Sequence, residues 1–359
     1  MTRAVSISLD QFYRPQPGGI ATYVRGLVRG LNSLQDDSLR LVGVAPRGVP
    51  KQDLSDLALE RVTTAPLNVL NLLWARWPLG VPSFSDVVHA TSLAGPFAGG
   101  KGDAVHSVAL YDLLWRDEPE ASTSRGIRFH EQRLQLLKRR DDVRIICTAP
   151  QLSRRLISDG FDPSRLHDVR LGVDDDDTTS ANAEEVRIAL SPRGVRGPYT
   201  LYVGTREPRK NLERLIVAHS LARKEDDELG PLVLVGPSGW GSVDSAEAIV
   251  LGSVSRSLLK GLYRDATVVA YVPKAEGWGL PPVEALHEGA RVVASVTTPS
   301  VTDNEEVVLV DPLDVEAIAK GLVASLSRPN DAAALERRRA SVSSLTWRNV
   351  ALDHLAGWQ

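Results

Sequence analysis

Cysteine occurs once in the 359 residues, at Cys147, so no internal disulfide framework and no cysteine-rich zinc site can form. Cys147 ends the apolar run Val143-Arg144-Ile145-Ile146-Cys147, which predicts a buried, inert thiol rather than a nucleophile. An excess of either charge is missing too. Lys and Arg number 42 against 45 Asp and Glu, a net charge of −3, and that balance predicts no bulk affinity for nucleic acid. No run of about 18 uninterrupted apolar residues occurs, so no segment is expected to span a bilayer. Met1 to Ile7 carries no long apolar stretch, so no signal peptide is expected and a cytoplasmic place is the default.

What is present is an ordinary globular composition, 43% hydrophobic and 24% charged. The length exceeds what one core serves, which predicts two domains. Ala4 to Leu9 reads as a strand and Ile20 to Leu34 as an amphipathic helix, with Gly18-Gly19 in the loop before it. Leu41 to Ala45 reads as a second strand. The stretch from Pro46 to Ser85 is irregular; its most apolar part, Leu67 to Trp77, reads as aromatic core in preference to a ligand surface.

Further strands are expected at Asp86 to Thr91, Val105 to Leu110, Tyr199 to Val203 and Leu232 to Val235. Arg125 to Arg144 carries seven cations among apolar residues (Arg125, Arg128, Arg133, Lys138, Arg139, Arg140, Arg144) and reads as one amphipathic helix. Its cationic face is either plainly solvated or suited to anionic lipid headgroups, which keeps a lipid-linked acceptor and peripheral contact with the inner membrane face open. The run Asp174-Asp175-Asp176-Asp177 reads as a solvated linker, because consecutive acids cannot all face one ion. The domain boundary is expected between Gly172 and Pro198.

The most informative stretch is Ala275-Glu276-Gly277-Trp278-Gly279-Leu280-Pro281-Pro282-Val283-Glu284-Ala285-Leu286. It follows the apolar run Thr267 to Val272, which reads as a buried parallel strand. Two glycines allow a tight loop, and the prolines suit the first turn of a helix that stops at Gly289. The loop therefore lies at the carboxyl end of a strand, the edge where open α/β sheets bind ligands. A helix N-terminus there suits a phosphate. A first-turn carboxylate, Glu284, can accept from a ribose diol, and Glu276 can accept from sugar hydroxyls. The same spacing also fits a helix-capping acid beside a solvated loop acid.

The segment Glu276-Gly277-Trp278-Gly279-Leu280-Pro281-Pro282-Val283-Glu284-Ala285 closely resembles the E-x7-E segment of retaining GT-B glycosyltransferases of family 4. Two further stretches keep that family's order. Val203-Gly204-Thr205-Arg206-Glu207-Pro208-Arg209-Lys210-Asn211-Leu212 resembles its phosphate-binding segment, and Gly18-Gly19-Ile20-Ala21-Thr22-Tyr23-Val24 its first glycine loop. Asp86-Val87-Val88-His89-Ala90-Thr91 and Leu171-Gly172-Val173-Asp174 match further family segments. The resemblance implies an α/β GT-B fold: two Rossmann-like domains facing across a cleft, acceptor side at 1–175 and nucleotide-sugar side at 176–345. A last helix at 346–359 crosses back to the first domain.

It implies a hexosyltransferase, with mannose from GDP-mannose as the first guess, acting on a glycan, lipid-linked or small-molecule acceptor. Lys210 and Arg209, with Arg206 in reserve, offset charge on the leaving diphosphate, so no cofactor and no metal is expected. Glu276 holds sugar hydroxyls and Glu284 the ribose. Gly19, Gly204, Gly236, Gly277, Trp278, Gly279 and Leu280 line the donor, and amides around Thr297 to Val301 meet the phosphates. Relatives read His-Asp-Leu where this chain has Tyr111-Asp112-Leu113, and many carry an arginine where it has Thr205. Tyr111 offers a hydroxyl but no titratable imidazole, and Asp112 either orients an acceptor hydroxyl or caps the next turn. His89 either lines the acceptor side or is a satisfied strand-end histidine. Two other readings share these motifs: a nucleotide-sugar epimerase and a non-catalytic nucleotide-sugar-binding protein.

Overall fold

The computed structural model describes residues 2–12, 18–47, 60–63, 65–97, 103–173, 179–239 and 247–359. The tetra-aspartate run lies outside them. The chain divides into two compact units, Met1–Asp174 with Leu345–Gln359, and Asp175–Ser344. Among the described residues no helix is long and apolar enough to cross a membrane.

The first unit is built on seven parallel strands, β1 (Arg3–Ser8), β2 (Leu39–Ala45), β3 (Glu60–Thr63), β4 (Val87–Ala90), β5 (Val105–Leu110), β6 (Val143–Cys147) and β7 (Leu166–Asp168). They lie in the order β3-β2-β1-β4-β5-β6-β7. The second unit has six, β8 (Thr200–Val203), β9 (Leu232–Val235), β10 (Ile249–Gly252), β11 (Val268–Tyr271), β12 (Val292–Ser295) and β13 (Val307–Val310), in the order β10-β9-β8-β11-β12-β13. Parallel strands need crossovers, and the crossing helices cover both faces. Hence β9 reads Leu-Val-Leu-Val with every residue buried. In each sheet the order reverses once, between β1 and β4 and between β8 and β11, and these switch points open ligand crevices at the strands' carboxyl ends.

Three strands, β3, β6 and β7, fall where no strand is expected from sequence. β6 takes the end of the expected cationic helix and the apolar run to Cys147, and β3 and β7 are short edge strands of four and three residues, too brief to show a period. The apolar stretch Leu67 to Trp77 only partly joins the core. Leu70 and Trp74 are fully buried, whereas Leu72 is 74% and Trp77 59% exposed.

The long cationic helix is also shorter than expected. It spans Ser124–Lys138, and Arg144 lies in β6. Arg133 turns inward, donates to the carbonyls of Asn71 and Ala94, and lies over the rings of Phe97 and Phe129. Lys138 donates to the Asp159 carbonyl, and Arg140 pairs with Asp142. A continuous cationic face therefore does not form; Arg125, Arg128 and Arg139 remain exposed.

The helix Trp347–Gly357 packs within the first unit against the helix Gly18–Ser33. The fit has no spare room. A Cβ at Gly26 would lie 2.0 Å from the Trp347 ring, and one at Gly30 would lie 2.0 Å from the Trp347 carbonyl oxygen.

Candidate active site

In the second unit the sequence-distant motifs meet at the β8/β11 switch point. β8 ends into the loop Gly204 to Lys210, and β11 into the loop Pro273 to Gly279. Gly204 has φ +153° and Gly236 φ +131°, and a Cβ at Gly236 would lie 2.2 Å from the Gly204 carbonyl oxygen. These glycines let the ends of β8 and β9 touch, which is a structural reason for Gly236.

Pro208–Lys210 form one tight turn, and Asn211 follows in the left-handed region at φ 62°. Asn tolerates that conformation better than most side chains. Its buried amide donates to the carbonyls of Val272 (3.0 Å) and Pro312 (2.6 Å), fixing Lys210 beside β11. The backbone amide of Lys274 donates to the Arg209 carbonyl, which ties the two loops together.

Lys210 and Glu276 are both largely buried, and their side chains meet at 2.5 Å. Glu276 Oε2 also receives Tyr271 hydroxyl at 2.6 Å and Arg209 Nη1 at 3.3 Å, while Oε1 accepts from the Gly277 amide. Burial would raise the Glu276 carboxyl, but the charges of Lys210 and Arg209 outweigh it and pull the pKa down to about 2. Lys210 is shifted down, first by burial, with Glu276 opposing and Arg209 adding to the shift. Arg209 Nε pairs with Glu207 at 3.1 Å, and Glu207 accepts from the Thr205 hydroxyl at 2.8 Å. Arg206 is half-buried.

Glu284 sits inside the helix Leu280–His287, where Oε1 accepts from Arg256 at 3.0 Å and Oε2 from the Tyr263 hydroxyl at 2.8 Å. Both expected acceptor carboxylates thus already hold protein donors. Gly279 caps the helix at φ +93° without a side-chain bond. Pro281 and Pro282 remove two of the four donors that a helix start leaves open, so Gly279 and Leu280 carry what remains. Trp278 is buried, and its indole N–H has no partner among the described residues.

The loop after β12 departs from expectation. The amides of Thr298, Ser300 and Val301 donate to the carbonyls of Ser295, Trp278 and Thr298, and so are occupied. Ser300 hydroxyl donates to the Gly279 carbonyl at 2.6 Å. This loop braces the Glu276 loop, and these three amides are taken by backbone carbonyls.

In the first unit Gly18 and Gly19 open their helix, exposed and with open space around both Cα atoms. His89 is fully buried, with Nε2 at 2.6 Å from the Tyr23 hydroxyl and Nδ1 at 2.8 Å from Ser107, so it is the satisfied histidine. Tyr111 donates to the Thr91 carbonyl at 2.8 Å and packs edge-on to Tyr23. Burial pushes its phenol well above the usual range. Asp112 accepts from the Leu114 amide at 3.1 Å, just before the short helix Leu114–Asp117. Burial also raises the Cys147 thiol, as an inert core residue requires.

Sequence reading missed Tyr271, Arg256, Tyr263, Glu207 and Asn211. Tyr271 closes an apolar strand run and looked like core; Arg256 and Tyr263 belong to a helix whose partner is set by the fold. Among the described residues no group of three or more His, Cys, Asp or Glu is placed to hold a metal ion.

Comparison with known proteins places the chain in a family. Residues 191–341 match the family model of glycosyl transferases group 1. O-antigen chain mannosyltransferase B of Escherichia coli is 30% identical over 270 residues, 71% of this chain and 68% of that protein. D-inositol 3-phosphate glycosyltransferase of Salinispora tropica is 31% identical over 186 residues, 45% of this chain and 39% of that protein. Among solved structures, Anabaena Alr3699/HepE in complex with UDP and glucose superposes with a TM-score of 0.71 at 15% identity, covering 99% of this chain and 98% of that one. WaaG, a glycosyltransferase involved in lipopolysaccharide biosynthesis, gives 0.69 at 15% identity over 98% of each chain. The chain belongs to the glycosyl transferases group 1 family and is a GT-B glycosyltransferase that takes its sugar from a nucleotide sugar.

Proposed function

We propose that the protein moves a mannosyl unit from a nucleoside-diphosphate mannose to an acceptor hydroxyl on a glycan or lipid-linked glycan, with retention at the anomeric carbon. The observation that carries this reading is the buried Lys210–Arg209–Glu276 cluster beside the Leu280 helix start. The mannosyltransferase name of the relative at 30% identity supports the choice of sugar.

In the reaction, the bond from the anomeric carbon to the diphosphate oxygen breaks and a bond to the acceptor oxygen forms on the same face. The acceptor proton passes to the departing diphosphate oxygen. Lys210 and Arg209 offset the negative charge that builds on that leaving group, and a buried site makes them more effective than the same cations in water. Glu276 accepts from sugar hydroxyls. Glu284 accepts from the ribose diol, which takes the place of one of its present donors, Arg256 or Tyr263. On the acceptor side, the exposed Gly18-Gly19 helix start and Asp112 lie in the first unit. Exposed Leu72, Trp77 and Arg76 suit peripheral contact with an anionic bilayer that carries a lipid-linked acceptor.

The test is nucleotide release from a panel of GDP-mannose, UDP-glucose and dTDP-glucose, with and without a mannosyl glycan acceptor. GDP release that rises on adding acceptor, with a mannosylated product by mass spectrometry, is expected. A changed sugar nucleotide formed without acceptor would mean an epimerase, and binding without any turnover would mean a non-catalytic protein.

A further inference from the structure

Glu276 Oε2 gathers three donors from two parts of the second unit: Lys210 Nζ and Arg209 Nη1 from the turn after β8, and the Tyr271 hydroxyl from the end of β11. Lys210 Nζ also lies 2.6 Å from the Tyr271 oxygen. An ammonium can only donate, so Tyr271 accepts from Lys210 and gives its single proton to Glu276. The phenol is therefore a link between the cation assigned to the diphosphate and the carboxylate assigned to the sugar. Tyr271 ends β11, is 1% exposed, and stacks on Tyr202 with ring centroids 6.3 Å apart. Tyr202 in turn donates to the Thr205 carbonyl in the loop that bears Arg209 and Lys210. Tyr202 stacks on the ring and the Lys210 ammonium lies 5.0 Å from its centroid, so its hydroxyl is held in position.

Glu276 is engaged by two cations, Lys210 and Arg209. A nucleoside diphosphate carries more negative charge than one carboxylate and competes for both. Once they turn to phosphate oxygens, an unsupported carboxylate would be left buried without its partners, which is costly. Tyr271 still donates to Oε2 and keeps the group aimed, while the freed lone pairs accept from sugar hydroxyls.

We propose that Tyr271 is a positioning residue of the transfer reaction, holding Glu276 in place as the diphosphate takes over Lys210 and Arg209, so that diphosphate and sugar recognition are coupled through its hydroxyl. The proposal rests on the donor roles given above for Lys210 and Glu276.

Calorimetric titration with UDP, GDP, UDP-glucose and GDP-mannose tests it, alongside nucleotide release kinetics. Tyr271→Phe keeps the stacked ring. It is expected to bind the bare nucleoside diphosphate within about threefold of wild type while the kcat of nucleotide release falls about tenfold, the loss of one hydrogen bond to a charged group. The extra affinity that the sugar confers should fall with it. Glu276→Gln removes the competing charge, so it should bind the bare diphosphate more tightly than wild type and lose the sugar increment. In the pair Lys210→Ala with Tyr271→Phe, the losses should combine to less than their product. Wild-type kcat and sugar increment in Tyr271→Phe would overturn the proposal, as would unchanged or weaker diphosphate binding in Glu276→Gln, which also decides the matter if Tyr271→Phe does not fold. Wild-type protein that binds none of the four probes would overturn the donor reading itself, and the proposal with it.

Discussion

Lys210 illustrates how one residue's chemistry depends on neighbours that only the fold supplies. It is 7% exposed, and its ammonium is kept in the interior by Glu276 and Tyr271 together. Lys210→Ala should lower the rate of nucleotide release by about 100-fold or more, the usual loss for one preorganised donor to a developing charge, as steady-state kinetics would show. Retained wild-type kcat would remove Lys210 from the mechanism. Glu284→Ala should instead act on binding. It removes the carboxylate that Arg256 and Tyr263 share and should weaken nucleoside-diphosphate affinity in a titration, with a smaller change in kcat. Asn211 was legible only as part of the Arg-Lys-Asn string; its two buried carbonyl partners, 61 and 101 residues away, are not readable from local sequence.

Two elements of the first unit, the Gly18–Ser33 helix and the Trp347–Gly357 helix, depend on each other. Alanine is normally the better helix residue by about 1 kcal/mol, so Gly30→Ala ought to stabilise an isolated helix. Here its Cβ would meet the Trp347 backbone oxygen at 2.0 Å. A loss of about 1–3 kcal/mol in denaturant unfolding is therefore expected, the range of overpacking penalties. A gain would mean that the two helices do not meet as described.

The same helix pair carries a buried chain of hydrogen bonds. His354 Nδ1 lies 2.7 Å from the Val350 carbonyl oxygen, which can only accept, so Nε2 of His354 accepts from the Tyr23 hydroxyl at 2.7 Å. Tyr23 then accepts from His89 Nε2–H, and Ser107 donates to His89 Nδ1. The direction is fixed from one end to the other, and both imidazoles are neutral. Burial pulls His354 from 6.5 down to about 4, and burial followed by the His354 charge lowers His89 well below its ordinary value. Between about pH 6.5 and pH 4 the unfolded chain binds protons that the folded chain refuses. Stability should therefore fall as pH drops through that window, with a slope of up to about 1.4 kcal/mol per pH unit for each such histidine. Glu276 adds a loss at lower pH, because its depressed carboxyl stabilises above the unfolded value of 4.5 and ceases to do so near 2. Melting temperatures at pH 7.5 and 5.0 check the histidine part; a flat profile would contradict the buried chain, and His354→Gln should flatten it.

For the whole molecule, the vesicle question separates surface from core. Leu72 and Trp77 stand out of a stretch in which Leu70 and Trp74 are buried. Sedimentation with phosphatidylglycerol vesicles should bring the protein down, and Leu72→Ser with Trp77→Ser should leave it in solution without changing activity on a soluble acceptor. Equal pelleting of both proteins would rule out this contact.

Much of the architecture was legible because it rests on local rules. Apolar runs at Leu232 to Val235 and Thr267 to Val272 read as buried strands, Gly18-Gly19 and Pro281-Pro282 mark helix starts, and Gly289 ends its helix at φ +85°. Those rules also put Glu276 and Lys210 at carboxyl ends of strands. They could not tell Leu70 from Leu72 in an apolar run, or an inward Arg133 from an outward Arg128, since helical position alone does not say what lies opposite.

The sequence by itself determined most of the alternation of strand and helix (not β3, β6 or β7), the absence of disulfides, and which charged residues are carried by loops at the ligand edge. Each follows from side-chain chemistry acting over a few residues. Tertiary structure alone decided which of those charges meet: that Glu276 is shared by Lys210, Arg209 and Tyr271, that Glu284 is held by Arg256 and Tyr263, and that the loop after β12 spends its amides on backbone carbonyls. Buried polar groups take the partner that the packing brings within about 3 Å, and strand order, not chain order, sets who that partner is.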